Sequence, residues 1–171
     1  MKGARIKLWI GAALLLISLL LCCASAGAEE DGLASLVLPA LTETECEWDA
    51  NGNLVSETAH DLNGQPALNR RGFYRALYTY DQDGNMLTAA YYDLAGQLVT
   101  TDTGYARAVF TYMRDSEGAS HVLTEDRYQP DGSRAQIPHS YSYRRDTWSG
   151  DDILSSEYFD AEGKLTRPSG G

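Results

Sequence analysis

Cysteine is scarce in this chain, and that excludes a disulfide-stapled fold. Of three cysteines in 171 residues, Cys22 and Cys23 are adjacent at the end of an apolar run, so only Cys46 lies beyond it. A lone cysteine has no internal partner. Cys46 reads as a small residue near the start of a strand, ahead of an intermolecular bridge or a reactive thiol. The apolar run is short for a spanning helix, which needs about twenty residues. Catalytic signatures are missing as well. There is no Gly-x-Ser-x-Gly elbow and no His-Glu-x-x-His zinc motif. The three histidines, His60, His121 and His139, stand in different contexts. The expectation is a protein that is not an enzyme, with no catalytic residue and no cofactor.

What is present begins with a leader. Lys2, Arg5 and Lys7 precede an apolar stretch from Leu8 to Leu21, and Ala24-Ser25-Ala26 offers the small residues of a cleavage site. This predicts a signal peptide over 1–28, favoured over an uncleaved anchor. Lipidation of Cys22 or Cys23 is disfavoured, because Leu21 or Cys22 stands where a small residue belongs. These features predict a secreted or cell-surface location, with no stable membrane span after cleavage. All twenty-four acidic residues come after the leader, whereas three of the fourteen basic ones lie in it, leaving a charge of about −13. Such a charge argues against nucleic acid or an anionic membrane surface as partner.

The rest of the chain repeats itself. LVSETAHD from Leu54, MLTAAYYD from Met86, VLTEDRYQ from Val122 and ILSSEYFD from Ile153 align column by column, each followed by a glycine: Gly64, Gly96, Gly132 and Gly163. The preceding segments recur too. FYRALYTY from Phe73 sits above YARAVFTY from Tyr105, with ECEWD before the first copy and HSYSYRRD before the last. Alternation in Phe73–Tyr80 sets Tyr74, Ala76, Tyr78 and Tyr80 on one face and Phe73, Arg75, Leu77 and Thr79 on the other, which is a strand pattern. DANGN (Asp49–Asn53) and DQDGN (Asp81–Asn85) are Asx-Gly turns that supply positive φ. The corresponding turns of the third and fourth copies, MRDSEGASH (Met113–His121) and RRDTWSGDD (Arg144–Asp152), read as longer by four residues, and longer tips are where specificity tends to sit.

The predicted fold is all-β: an antiparallel meander of about four repeated β-hairpins, as a single sheet or a rolled repeat module. A single hairpin is marginal in water, so each must cover its neighbour. The predicted organisation is a signal peptide over 1–28, a leader or cap over 29–44, the four-copy repeat domain over 45–166 and a flexible tail over 167–171.

The Tyr-Asp-x-x-Gly-Asn turn at Tyr80, with Tyr-Tyr-Asp-x-x-Gly-Gln from Tyr91 and Gly-Tyr-Ala-Arg from Gly104, resembles the tyrosine-aspartate (YD, or RHS-type) repeats of bacterial surface and secreted proteins. The resemblance runs from about Trp48 to Lys164 and is closest in the second copy. Trp48 and His60 replace tyrosines in the first, and Gln129 replaces aspartate in the third. It implies a structural or interaction module, and it carries no catalytic residues across.

Calcium is the natural question for Asp81-x-Asp83-Gly84-Asn85. An EF-hand loop needs glycine sixth and a bidentate Glu twelfth, whereas here glycine is fourth, so those aspartates read as turn formers and no metal is predicted. The aromatics are the better candidates. Tyr91 and Tyr158 share one column and face; Tyr92, Tyr128 and Phe159 share the next column on the opposite face. One stripe must be core. The other is either packed as well or open for stacking on sugar rings or docking a chain. Trp148, beside Gly150, is expected to be exposed for contact, and the candidate ligand-binding set is Trp148, Tyr91, Tyr158 and Tyr105. The expected function is a non-catalytic module binding a cell-wall glycan or a protein partner. The alternative is an assembly protein that self-associates, or pairs with a partner, through its β-edges.

Overall fold

The computed structural model describes residues 5–7 and 41–168. The predicted cap over 29–44 and the lipidation question at Cys22 and Cys23 lie wholly or mostly outside these residues. The strands are β1 (Arg5–Lys7), β2 (Thr42–Trp48), β3 (Leu54–Asp61), β4 (Arg75–Tyr80), β5 (Met86–Tyr92), β6 (Arg107–Arg114), β7 (Ser120–Tyr128), β8 (Tyr143–Ser149), β9 (Asp152–Phe159) and β10 (Leu165–Thr166). They form one antiparallel sheet whose spatial order is the chain order. The hairpin meander is therefore the fold. The first of its long strands starts at Thr42, three residues before the expected start of the repeats at 45.

Four long hairpins, β2–β3, β4–β5, β6–β7 and β8–β9, are each zipped by six to eight residue pairs. Neighbouring hairpins share only three pairs, such as Ser56↔Leu77, Glu57↔Ala76 and Thr58↔Arg75. Junctions between repeats therefore need support from side chains and links. Every hairpin carries a bulge at the same place: Val55, Leu87, Leu123 and Leu154 are the extra residues, just where Trp48, Tyr80, Tyr112 and Trp148 pair across. A bulge bends the strand and increases its twist, at the position where an aromatic must reach the preceding hairpin.

Local chemistry sets the turns. Asp81 Oδ1 accepts hydrogen bonds from the backbone N–H groups of Asp83 and Asn85, each at 2.9 Å, and Oδ2 accepts one from Asn85 Nδ2 at 2.8 Å. Gly84 follows at φ 84°, a left-handed conformation that only glycine adopts without strain. Asp49 does the same with Asn51, Asn53 and Gly52. These aspartates act as turn formers, and their oxygens are already engaged.

The extra residues of the third and fourth copies do not lengthen turns. In the third, Met113↔His121 and Arg114↔Ser120 continue the ladder, and the turn keeps the five-residue form Asp115–Ala119. In the fourth, Ser149↔Asp152 closes a shorter, two-residue tip of Gly150 and Asp151. The expectation fails because it equates Asp146 with the turn residue Asp81. In the sheet Trp148 holds the place of Tyr80 and Tyr112, so Asp146 lies mid-strand, in the column of Tyr78 and Phe110.

The core is one face of the sheet. Phe73, Ala76, Ala89 and Tyr91 form a buried cluster, with Tyr78, Met86, Val99 and Tyr105 packed against it. Alanines at 76, 89 and 108 leave room for the neighbouring rings, which is why the face of Ala76 and Tyr78 is the inner one. Phe73 joins this face against the simple alternation, because regular strand begins only at Arg75.

Candidate functional site

Three arrangements of side chains stand out along the sheet. The first is a column at the hairpin tips. Tyr80 Oη donates to the Leu54 carbonyl at 2.8 Å, Tyr112 Oη to that of Met86 at 2.9 Å, and Trp148 Nε1 to that of Val122 at 2.8 Å. Each bond spans 26 residues and ties one hairpin to the one before.

The second arrangement is a buried charge network. The places of Ala89, Tyr91, Ala76 and Tyr78 are taken, further along the sheet, by Glu125, Arg127, Arg144 and Asp146. Arg127 Nε donates to Glu125 Oε1 at 2.8 Å, and Arg127 Nη2 to Tyr141 Oη at 2.7 Å. Tyr141 Oη donates to Glu125 Oε2 at 2.9 Å. The Arg127 guanidinium also lies over the Tyr141 ring at 3.9 Å and the Tyr105 ring at 5.2 Å. Burial, and after it the Glu125 charge, pushes the Tyr141 hydroxyl up to about 12. Arg144 Nε stands 3.2 Å from Asp146 Oδ2 without hydrogen-bond alignment, and Asp146 Oδ1, on a side chain 2% exposed, has no hydrogen-bond partner. Two cations and two anions balance, so the network reads as an ionic replacement for the aromatic core of the second copy.

The third arrangement joins two tips. His121 Nε2 lies 2.9 Å from Asp115 Oδ2 on its own hairpin and 3.6 Å from Asp151 Oδ1 on the next. The imidazole stacks on Trp148, with centroids 4.5 Å apart and planes at 30°. The hydrogen bond with His121 is the main cause holding the Asp115 carboxyl below the usual carboxylate range.

The sequence-predicted residues are dispersed relative to one another. Tyr91 is buried at 5% exposure, in the core cluster. Trp148 is half-buried rather than exposed, because its ring covers His121 and its N–H is committed to Val122. Tyr105 is half-buried against Tyr91, with ring centroids 6.0 Å apart, and Tyr158 is half-buried against Tyr141 at 5.0 Å. Tyr91, Tyr105 and Tyr158 thus sit on the packed inner face. His60 packs edge-on to Tyr74, as its aromatic column suggests. Cys46 is half-buried mid-strand, and burial raises its thiol pKa, which lowers its reactivity. Sequence reasoning missed the tip cluster and the charge network, although their signals are present: His121 two residues past a turn that lacks asparagine, and charges in columns otherwise filled by Ala and Tyr.

A cavity of about 350 Å³ lies between the segment joining β7 to β8 and the turn after β9, lined by Ile137, Ser140, Ser142, Asp160 and Glu162 among others. Among the described residues no helix is long and apolar enough to cross a membrane. No family model matches the chain, and neither a curated protein nor a solved structure matches it.

Proposed function

We propose that the chain is a non-catalytic, extracytoplasmic interaction module that extends its sheet head to tail with a second copy of itself. The observation that carries this is the tip column and its two ends. Trp48 occupies the aromatic place in the first hairpin, where no earlier hairpin among the described residues supplies an acceptor, and it is 42% exposed. Ile153 occupies the acceptor place in the last, and it is 53% exposed beside Leu154 at 65%. A copy docked by the rule of the internal junctions sets Trp48 of one chain against Ile153 of the other.

Edge strands present unpaired backbone groups to such a partner. β10 covers only Tyr158 and Phe159 of β9, so Ser155–Glu157 remain for a docked strand, and a contact of this head-to-tail kind builds open chains. The outer edge of β2 is held by β1, which lies in the segment read as a signal. Loss of that segment frees the edge. The register would place Glu43 of one copy opposite Glu157 of the next, so like charges oppose assembly and added salt favours it.

Sedimentation of the chain with and without residues 1–28 tests this. The shorter form is expected to assemble with concentration, more so at high salt, and Trp48→Ala to weaken assembly at least tenfold. Leu94→Ser, at an exposed site after β5 and so in neither terminal hairpin, should leave it unchanged. A shorter form that stays monomeric at millimolar concentration overturns the proposal and returns weight to a cell-wall glycan or a protein partner.

A further inference from the structure

We infer that Asp115, His121 and Asp151 form a site for one divalent metal ion of the zinc class, shared between the tips of the third and fourth long hairpins. The three ligand atoms lie within 4.8 Å of one another. Zinc bonds of about 2.0–2.2 Å to nitrogen and oxygen in a tetrahedron put ligand atoms about 3.3 Å apart. The observed 2.9 Å and 3.6 Å from His121 Nε2 to the two carboxylates bracket that spacing. An imidazole with two carboxylates suits zinc and its neighbours, whereas calcium and magnesium prefer six or more oxygens. A neutral His121 leaves the trio with a charge of −2, which a divalent cation balances. Three protein ligands leave a fourth position open toward solvent.

Comparison with the other tips shows how this one differs. In the first two hairpins Asn53 or Asn85 takes the second oxygen of the turn aspartate, at 2.9 Å and 2.8 Å. In the third hairpin Ala119 stands in that place and has no side-chain donor. Asp115 Oδ1 keeps its two backbone bonds, from Glu117 and Ala119, both at 2.9 Å. Its Oδ2 is thereby aimed at His121. The two residue pairs added to this hairpin, Met113↔His121 and Arg114↔Ser120, are what carry His121 to that point. Trp148 then fixes the imidazole plane from the neighbouring hairpin, and its own N–H is pinned to Val122. His121 and Asp115 side chains are 10% and 8% exposed, whereas that of Asp151 is 82% exposed and free to swing onto an ion.

Calorimetric titration of the full chain with zinc chloride, alongside thermal melts, tests the site. The expected result is one saturable equivalent that is lost in His121→Gln and weakened at least tenfold in Asp151→Asn. Asp151 is exposed, so Asp151→Asn should melt like the parent chain when no metal is present. Asp83→Asn, at the tip of the second long hairpin, should bind like the parent. Calcium chloride should produce no comparable binding. Equal zinc binding by the parent, His121→Gln and Asp151→Asn, or no saturable binding at all, overturns the inference and leaves a hydrogen-bonded His–Asp pair.

Discussion

The indole Nε1 of Trp148 donates to the carbonyl of Val122, and it does so at the same 26-residue separation at which Tyr80 reaches Leu54 and Tyr112 reaches Met86. Neighbouring hairpins share only three backbone pairs and one further backbone bond each, and these side-chain bonds add a tie at the tip end of every junction. The bulge beside each aromatic sets the geometry, so one local irregularity repeated along the sheet becomes its means of stacking.

Removing these donors should therefore loosen junctions. Tyr80→Phe and Tyr112→Phe are each expected to cost about 0.5–1.5 kcal/mol, the net value of one hydrogen bond. The two should add nearly independently, since they serve different junctions. Trp148→Ala also removes a ring that covers His121, at a cost of about 2–4 kcal/mol, kept below that of a fully buried tryptophan by its partial exposure. Urea unfolding of the parent and the three variants measures all three effects. A Trp148→Ala midpoint equal to that of the parent would mean the tip column does not hold the repeats together.

Much of this architecture is legible in sequence, for physical reasons. Asp-x-x-Gly turns announce themselves because Asp81 and Gly84 each meet a backbone demand that few residues satisfy. The fourth repeat is the exception. Its Asp146 looks like a turn aspartate, and only the pairing Trp148↔Ile153 shows that it stands mid-strand. The buried face was left open by sequence, since aromatic stripes occur on both sides; the alanines at 76, 89 and 108 decide it by admitting neighbouring rings. The tip cluster depends on placing Asp151 against His121 across two hairpins, a register that spacing alone does not supply.

Alkaline solution should unfold the sheet as its tyrosines ionise. Burial raises Tyr141 to about 12 and Tyr78 further still, with Tyr80, Tyr105 and Tyr112 also raised. A raised folded-state value means stability that is full below the ordinary tyrosine value near 10 and is lost as pH climbs from there through the folded value. Tyrosinate absorbance near 295 nm should show an early phase from exposed rings, then a cooperative phase above pH 10 coincident with loss of the β circular-dichroism signal. Complete titration by pH 10.5 with the sheet intact would contradict the burial of these hydroxyls.

Acid acts through the turns. Hydrogen bonds from Asn53, Asn85 and His121 are the leading causes that hold Asp49, Asp81 and Asp115 below their ordinary values. Depressed values give stability that is present above about pH 4 and is lost as pH falls through the folded values. The urea midpoint should hold steady from pH 7 to pH 5 and drop below pH 4. Asp81→Asn should show a lower midpoint at pH 7 and a shallower fall in acid, because it removes one of the titrating turns. An equally steep fall in Asp81→Asn would locate the acid sensitivity elsewhere.

The charge network offers the sharpest contrast between single and double replacement. Asp146 is 2% exposed and faces Arg144 in columns that the second copy fills with Tyr78 and Ala76. Asp146→Ala leaves Arg144 half-buried with only Glu125, 4.0 Å away and already engaged by Arg127 and Tyr141, as counter-ion. The expected cost is about 2–4 kcal/mol, the lower part of the usual range because Arg144 keeps some solvent and this second carboxylate. The double variant Arg144→Ala, Asp146→Tyr installs the residues of the second copy. It also removes the carboxyl oxygen that has no hydrogen-bond partner. Replacing a buried ion pair by well-packed apolar groups is often neutral or stabilising by about 1–4 kcal/mol, so the double variant should match or exceed the parent in urea. A double variant as weak as Asp146→Ala would mean that the two halves of the sheet are not interchangeable, and that Glu125 and Arg127 require Arg144 as a third charge.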